Sequence, residues 1–130
     1  MTKPVQLDVQ ERWKDDADEH DYPAARDYLS LLFSDSEAEG LVERLRAGSL
    51  ISRKAKDVLR ASRLELLPVT DPGVVKDLTK IAQARKLSPV LLVRVGRGAP
   101  MIVADGYHRI CASYHLDENA VIPCRVADTN

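Results

Sequence analysis

The stretch Met101-Ile102-Val103-Ala104-Asp105-Gly106-Tyr107-His108-Arg109 joins an apolar, strand-like run to the start of a helical one that continues to about Leu116. A glycine at such a junction lets the backbone turn sharply and lets a ligand approach the main chain. The free N–H groups of the helix's first turn then point outward, where the helix dipole favours an anion. Arg109 adds a fixed cation and His108 a titratable donor at the same end. The stretch therefore suits a phosphate group held where a sheet gives way to a helix.

Upstream, Val90 to Val95 reads as a buried strand, and Gly96-Arg97-Gly98 turns it back into Met101–Ala104 as a hairpin. Ser88-Pro89 separates that strand from a helix opened by Thr70-Asp71-Pro72, in which Val74, Val75, Leu78 and Ile81 keep the helical period to about Arg85. Leu64 to Val69 reads as an apolar strand interrupted by Pro68. A helix from roughly Ser52 to Ser62 precedes it, with Ala55, Val58, Leu59 and Ser62 on one face and Lys54, Lys56 and Arg60 largely outward. Downstream, Val121 to Val126 is a last strand. The order strand, helix, strand, strand, helix, strand predicts an α+β domain over residues 51–130, a small mixed β-sheet with packed helices.

Residues 1–50 read as an acidic N-terminal arm and helical extension. Asp15, Asp16, Asp18, Glu19 and Asp21 cluster after Trp13, so residues 1–21 are expected to form a mobile tail or irregular arm with Trp13 docking on the body. Pro23 opens a helix to about Phe33, with Tyr28, Leu31 and Leu32 as its apolar stripe. Ser34 or Ser36 caps the next, Ser36 standing at capping-box spacing from Glu39. Leu41, Val42 and Leu45 face inward and Gly48 ends that helix.

The chain has 130 residues, 45% of them apolar and 30% charged, which fits one globular domain with an appended helical segment. It contains no run near the roughly 18 apolar residues of a membrane span and no signal-peptide pattern, so a soluble, cytoplasmic protein without membrane association is expected. Cys111 and Cys124 form no CxxC pair; free, buried thiols are expected rather than a zinc site or a disulfide. His115 lies two turns beyond His108, too far to share a metal easily, and is read as structural. Residues 1–50 carry twelve acidic side chains against six basic, and residues 51–130 thirteen basic against eight acidic. That asymmetry is consistent with an anionic ligand, and equally with two solvated surfaces of opposite sign.

Each residue of the junction has a chemical and a structural reading. Asp105 suits holding a magnesium ion through water, accepting a proton from a substrate hydroxyl, or capping the helix. His108 suits a phosphate donor or an acid or base near neutral pH, and equally a partly buried side chain bonded to backbone. Arg109 opposes the helix dipole unless an anion compensates, either a phosphate or the carboxylate of Asp105 or Asp117. Tyr107 suits stacking on a base, bonding a ligand, or covering the core edge. Lys54, Lys56, Arg60 and Arg63 make a basic face open to nucleic acid, to the ligand's phosphates, or only to solvent.

Leu66-Leu67-Pro68, the helix from Asp71-Pro72, Pro89 leading a strand, Asp105-Gly106-Tyr107-His108-Arg109 and Ile122-Pro123-Cys124-Arg125-Val126 follow one another in the order of a known pattern. Over about residues 52–127 the chain resembles the ParB/sulfiredoxin-like superfamily, most of all its small stand-alone bacterial ParB-like nuclease-domain proteins. The resemblance implies a nucleotide, a nucleoside triphosphate or diphosphate, or another phosphorylated ligand at Gly106, Tyr107, His108 and Arg109, with Lys76 in reach by the family's architecture; any Mg2+ would fall to Asp105. Sulfiredoxins place a reactive cysteine where this chain has Tyr107, so their thiol chemistry is not expected. Gly106 and Arg109 match the Gly-x-x-Arg turn by which ParB proteins bind a nucleoside triphosphate and dimerise as a clamp. The DNA-reading helix-turn-helix domain that usually follows is absent from this sequence, so chromosome partition is not expected. With a donor, an acid or base and a helix N-terminus clustered within five residues, a nucleotide hydrolase, phosphotransferase or nuclease is expected, with Asp105 or His108 handling the proton. The alternative is a non-catalytic, homodimeric module in which a nucleotide gates contact with DNA or protein.

Overall fold

A computed structural model describes residues 12–129. Among the described residues, five helices and four strands follow in the order α1 (Asp21–Leu29), α2 (Asp35–Ala47), β1 (Leu50–Lys54), α3 (Ala55–Ser62), α4 (Pro72–Ala82), β2 (Val90–Arg94), β3 (Ile102–Asp105), α5 (Tyr107–Leu116) and β4 (Val121–Asp128). The strands form one mixed sheet in the order β1-β4-β2-β3. Strands β4 and β2 run parallel at its centre, with β1 and β3 antiparallel at the edges. The protein is thus an α+β fold built on a small mixed sheet.

Both faces of the sheet are covered, which is why β2 reads as an unbroken apolar run rather than an alternating one. Val90, Leu92, Ile122 and Cys124 pack on one side with Val58 and Leu59 of α3, Val74 of α4 and Ile110 of α5. Leu91, Val93 and Ala127 pack on the other with Tyr22, Ala25 and Leu29 of α1 and Leu41, Val42 and Leu45 of α2. Both cysteines are buried and free, and burial pushes the Cys124 thiol up to about 12.

Several local readings shift. The segment 64–68 is not a strand: Pro68 offers no ladder donor, and the segment is held instead by Tyr107, whose hydroxyl donates to the Glu65 carbonyl, and by His115 Nε2, 2.6 Å from the Leu67 oxygen. The fourth strand comes from Leu50–Lys54, so α3 starts at Ala55 rather than Ser52. This strand is mostly exposed and ends in Ser52-Arg53-Lys54, the charged composition by which an edge strand discourages further pairing. Helix α1 ends at Leu29 and buries Tyr22, Ala25 and Leu29, leaving Tyr28, Leu31 and Leu32 exposed. Ser34 is the residue that caps α2, its hydroxyl accepting from the Glu37 amide while Glu37 reaches back to the Ser34 amide.

The expected tail falls partly on residues 1–11, which lie outside the described residues. From Arg12 onward the arm is ordered. Trp13 is buried, and the backbone pairs with Leu87 through Lys14 N–H to Leu87 O (2.8 Å) and Leu87 N–H to Arg12 O (3.0 Å). This docking carries residues 14–21 to the N-terminal end of β2, beside the turn of β3 into α5.

Gly106 is the N-cap of α5 at φ +112°. A Cβ there would lie 2.6 Å from Val90 Cγ1 and 2.9 Å from Arg109 Nη2. Gly106→Ala therefore combines backbone strain with a clash against a core valine, and is expected to lower stability by roughly 2–4 kcal/mol in urea unfolding. A loss below about 0.5 kcal/mol would show that the junction relaxes freely.

Candidate functional site

Gly106 is required by close packing inside the protein, since the direction of its missing side chain is filled by Val90 and Arg109. Pairing between β2 and β3 slips by one residue at this end: Leu92 lies opposite Val103 but Leu91 opposite Asp105, leaving Ala104 without a partner. Such a slip re-aims the side chains beside it. Asp105 does not cap α5; its carboxylate accepts from Arg109 Nη2 at 2.7 Å.

Arg109 is 11% exposed and committed to internal partners. Beyond Asp105, its Nη1 donates to the Ser88 carbonyl (2.9 Å), to the Ser88 hydroxyl and to Asp21 Oδ2 (3.3 Å). Asp21, 7% exposed, also accepts from the Ser88 hydroxyl at 2.6 Å. The guanidinium thus ties α5 to β3, to the turn before β2 and to the start of α1. The anion compensation that a cation at a helix N-terminus needs comes from Asp105, as the sequence allowed, and from Asp21 as well. Burial alone would raise the Asp21 carboxyl, but the Ser88 hydroxyl and Arg109 overcome it and hold it below the ordinary range. Burial raises Asp105, and the neighbouring Asp21 adds to that against the pull of Arg109.

Above this clamp opens a cleft of about 510 Å³, within the range of small-molecule sites. Its lining includes Gly106, Tyr107 and His108 of α5, Lys76, Asp77 and Lys80 of α4, and Arg85 and Lys86 of the following turn. The docked arm adds Lys14, Asp18, His20 and Asp21. Lys14 pairs with Asp18 at 2.6 Å. Among the described residues, Lys76, Lys80, Arg85 and Lys86 make no ion pair. Lys76 and Lys80 stand one turn apart on α4, where like charges repel by about 0.2–0.5 kcal/mol. An anion between them would turn that repulsion into attraction.

His108 is half exposed, with Nε2 3.5 Å from Asp71 Oδ2, the carboxylate that caps α4. Its ring lies over Gly73, where a Cβ would come within 2.3 Å of the imidazole. Gly73 thus makes room for the His108 ring beside the cleft, a role that the sequence reading missed. Tyr107 lines the cleft with its hydroxyl committed to Glu65, leaving its ring beside that of His108 at a centroid distance of 6.0 Å.

Asp77 was also missed. It is buried at 8% exposure on the same stripe of α4 as Val74, and makes no side-chain hydrogen bond among the described residues. A charged residue in the apolar stripe of a helix is the signal that would have found it. Burial raises its carboxyl, opposed by Arg109, Lys80, His108 and Lys76. A raised folded value means the native state holds this proton more tightly than the unfolded chain. That contribution is full below the ordinary carboxylate range and is lost as pH rises through the folded value. Asp77→Asn is therefore expected to raise Tm near about pH 7 by a few degrees, and to lose the advantage near about pH 3. An unchanged or lower Tm at neutral pH would show that the ionised carboxylate is needed by the fold.

Asp18, His20 and Asp21 bring three ligand-type atoms within 4.8 Å of one another. Lys14 and Arg109 already match the two carboxylates, so this cluster is poorly suited to a magnesium ion. No protein-family model, curated protein or solved structure matches this chain.

Proposed function

We propose that the protein binds a phosphate-bearing small molecule of nucleotide size in the cleft between α4 and the first turn of α5. The observation that carries this reading is the concentration of Lys76, Lys80, Arg85 and Lys86, none ion-paired among the described residues, around one concavity into which a helix N-terminus opens. The first-turn amides of Tyr107 and His108 and the His108 ring supply directed donors, and the rim cations supply charge. Arg109 acts from beneath, fixing the turn rather than reaching out. The resemblance to ParB/sulfiredoxin-like proteins supports a nucleoside triphosphate or diphosphate as the ligand. Calorimetric titration with ATP, CTP, ADP and inorganic phosphate tests it: saturable 1:1 binding of at least one nucleotide is expected, and no heat or melting shift with any of them would remove the reading.

A catalytic extension rests on Asp77. It is a carboxylate of raised proton affinity that lines the cleft without a hydrogen-bond partner among the described residues, close to His108. Such a group is suited to take a proton from water or a hydroxyl attacking a bound phosphoryl group, with the rim cations stabilising charge on the transferring oxygens. Asp105, bound to Arg109, is less free to do so. Phosphate release by wild type and its loss in Asp77→Asn would establish hydrolysis. Nucleotide binding without release by either would leave a binding module that gates another contact.

A further inference from the structure

Two turns along α5 from the cleft, Tyr114 enters a second concavity, of about 710 Å³, whose lining is shared with none of the first. Its wall is α3. Lys56, Arg60 and Arg63 stand at i, i+4 and i+7 and so form one stripe, with Lys54 just before the helix. Ala55, Val58, Leu59 and Ser62 occupy the buried stripe. The stripe spans roughly 10 Å, enough to meet more than one phosphate of an extended strand. Asp57 is the one acid in the lining and pairs with Arg60 at 3.3 Å, while Lys54 and Lys56 have no ion-pair partner among the described residues.

Two features distinguish this groove from a merely solvated helix face. Arg63 occupies the left-handed conformation at the C-cap of α3 (φ 55°, ψ 27°), a place where glycine is usual, and its Nη2 donates to the Gly98 carbonyl at 2.8 Å. A long cationic side chain is thereby held at the groove wall instead of sweeping through solvent. The half-buried Tyr114 ring and the exposed Leu64 add apolar surface among the cations. Cations tracking a backbone beside an aromatic face are the elements of single-strand recognition. Duplex readers instead project a helix or ribbon into the major groove, and this site is concave.

We propose that this groove binds single-stranded nucleic acid, with Lys54, Lys56, Arg60 and Arg63 on phosphates and Tyr114 stacked on a base. The proposal is independent of the ligand in the cleft. Fluorescence anisotropy of a labelled oligothymidylate titrated with the full chain tests it. Saturable binding is expected. Lys56→Glu with Arg60→Glu should weaken it at least about tenfold and reduce the salt slope by about 0.7 for each phosphate that is no longer neutralised. Tyr114→Leu, which keeps apolar bulk, should weaken it about fivefold or more. Absence of binding, tighter binding of the matching duplex, or equal binding by wild type and a Tyr114→Leu variant of unchanged Tm would each overturn it.

Discussion

Arg109→Ala is expected to lose about 3–5 kcal/mol of stability, the range for removing one member of a buried ion pair. The loss arises because Asp21 and Asp105, 7% and 24% exposed, are left facing each other without their shared cation. Against a total of roughly 5–15 kcal/mol, the variant should melt some 10–20 °C below wild type. Two further results separate this cause from a simple loss of packing. Adding Asp21→Asn to Arg109→Ala should recover part of the stability, since one of the stranded charges is gone. Lowering the pH should also narrow the gap, because Asp105, already raised by burial, takes up a proton once the guanidinium is absent. A variant as stable as wild type would mean that Arg109 is available for a ligand rather than committed to the fold.

Lys76→Ala combined with Lys80→Ala should have the opposite profile. A charge-assisted hydrogen bond is worth about 1.5–3 kcal/mol, so losing two should weaken nucleotide affinity by more than about a hundredfold. Stability should be unchanged or slightly higher, since the two lysines repel each other on α4 and alanine is the better helix former. The pair of experiments divides the cationic residues of the site into those that hold the fold and those that face the ligand. Equal nucleotide affinity in wild type and the double variant would place the ligand elsewhere.

The junction at Gly106 was legible because an apolar run, a glycine and a helical run change period within six residues. The reason for the glycine was not, since Val90, which fills the space, belongs to another strand. The Asp105–Arg109 pair lies at i, i+4 and stood among the sequence alternatives. Asp21 is 88 positions away from Arg109, and only the docking of Trp13 beside Leu87 brings the arm to the site. Strand β1 hid behind its own edge chemistry, because a half-polar strand ending in Arg53-Lys54 carries little hydrophobic signal. In α1, Tyr28, Leu31 and Leu32 offered an apolar spacing as plausible as Tyr22, Ala25 and Leu29. What decided between them was the end of the helix at Leu29, which places Leu31 and Leu32 beyond it.

The most direct measurement is a two-dimensional amide NMR titration of the wild-type protein with a nucleoside triphosphate. Saturable shifts should concentrate at the amides of Tyr107 and His108 and along α4 around Lys76–Lys80, while the amides of α2, which packs on the far face of the sheet and lines no part of the cleft, stay still. A spectrum that does not move, or that moves only away from this cleft, would mean that the free donors and cations gathered at the α5 N-terminus do not form an anion site.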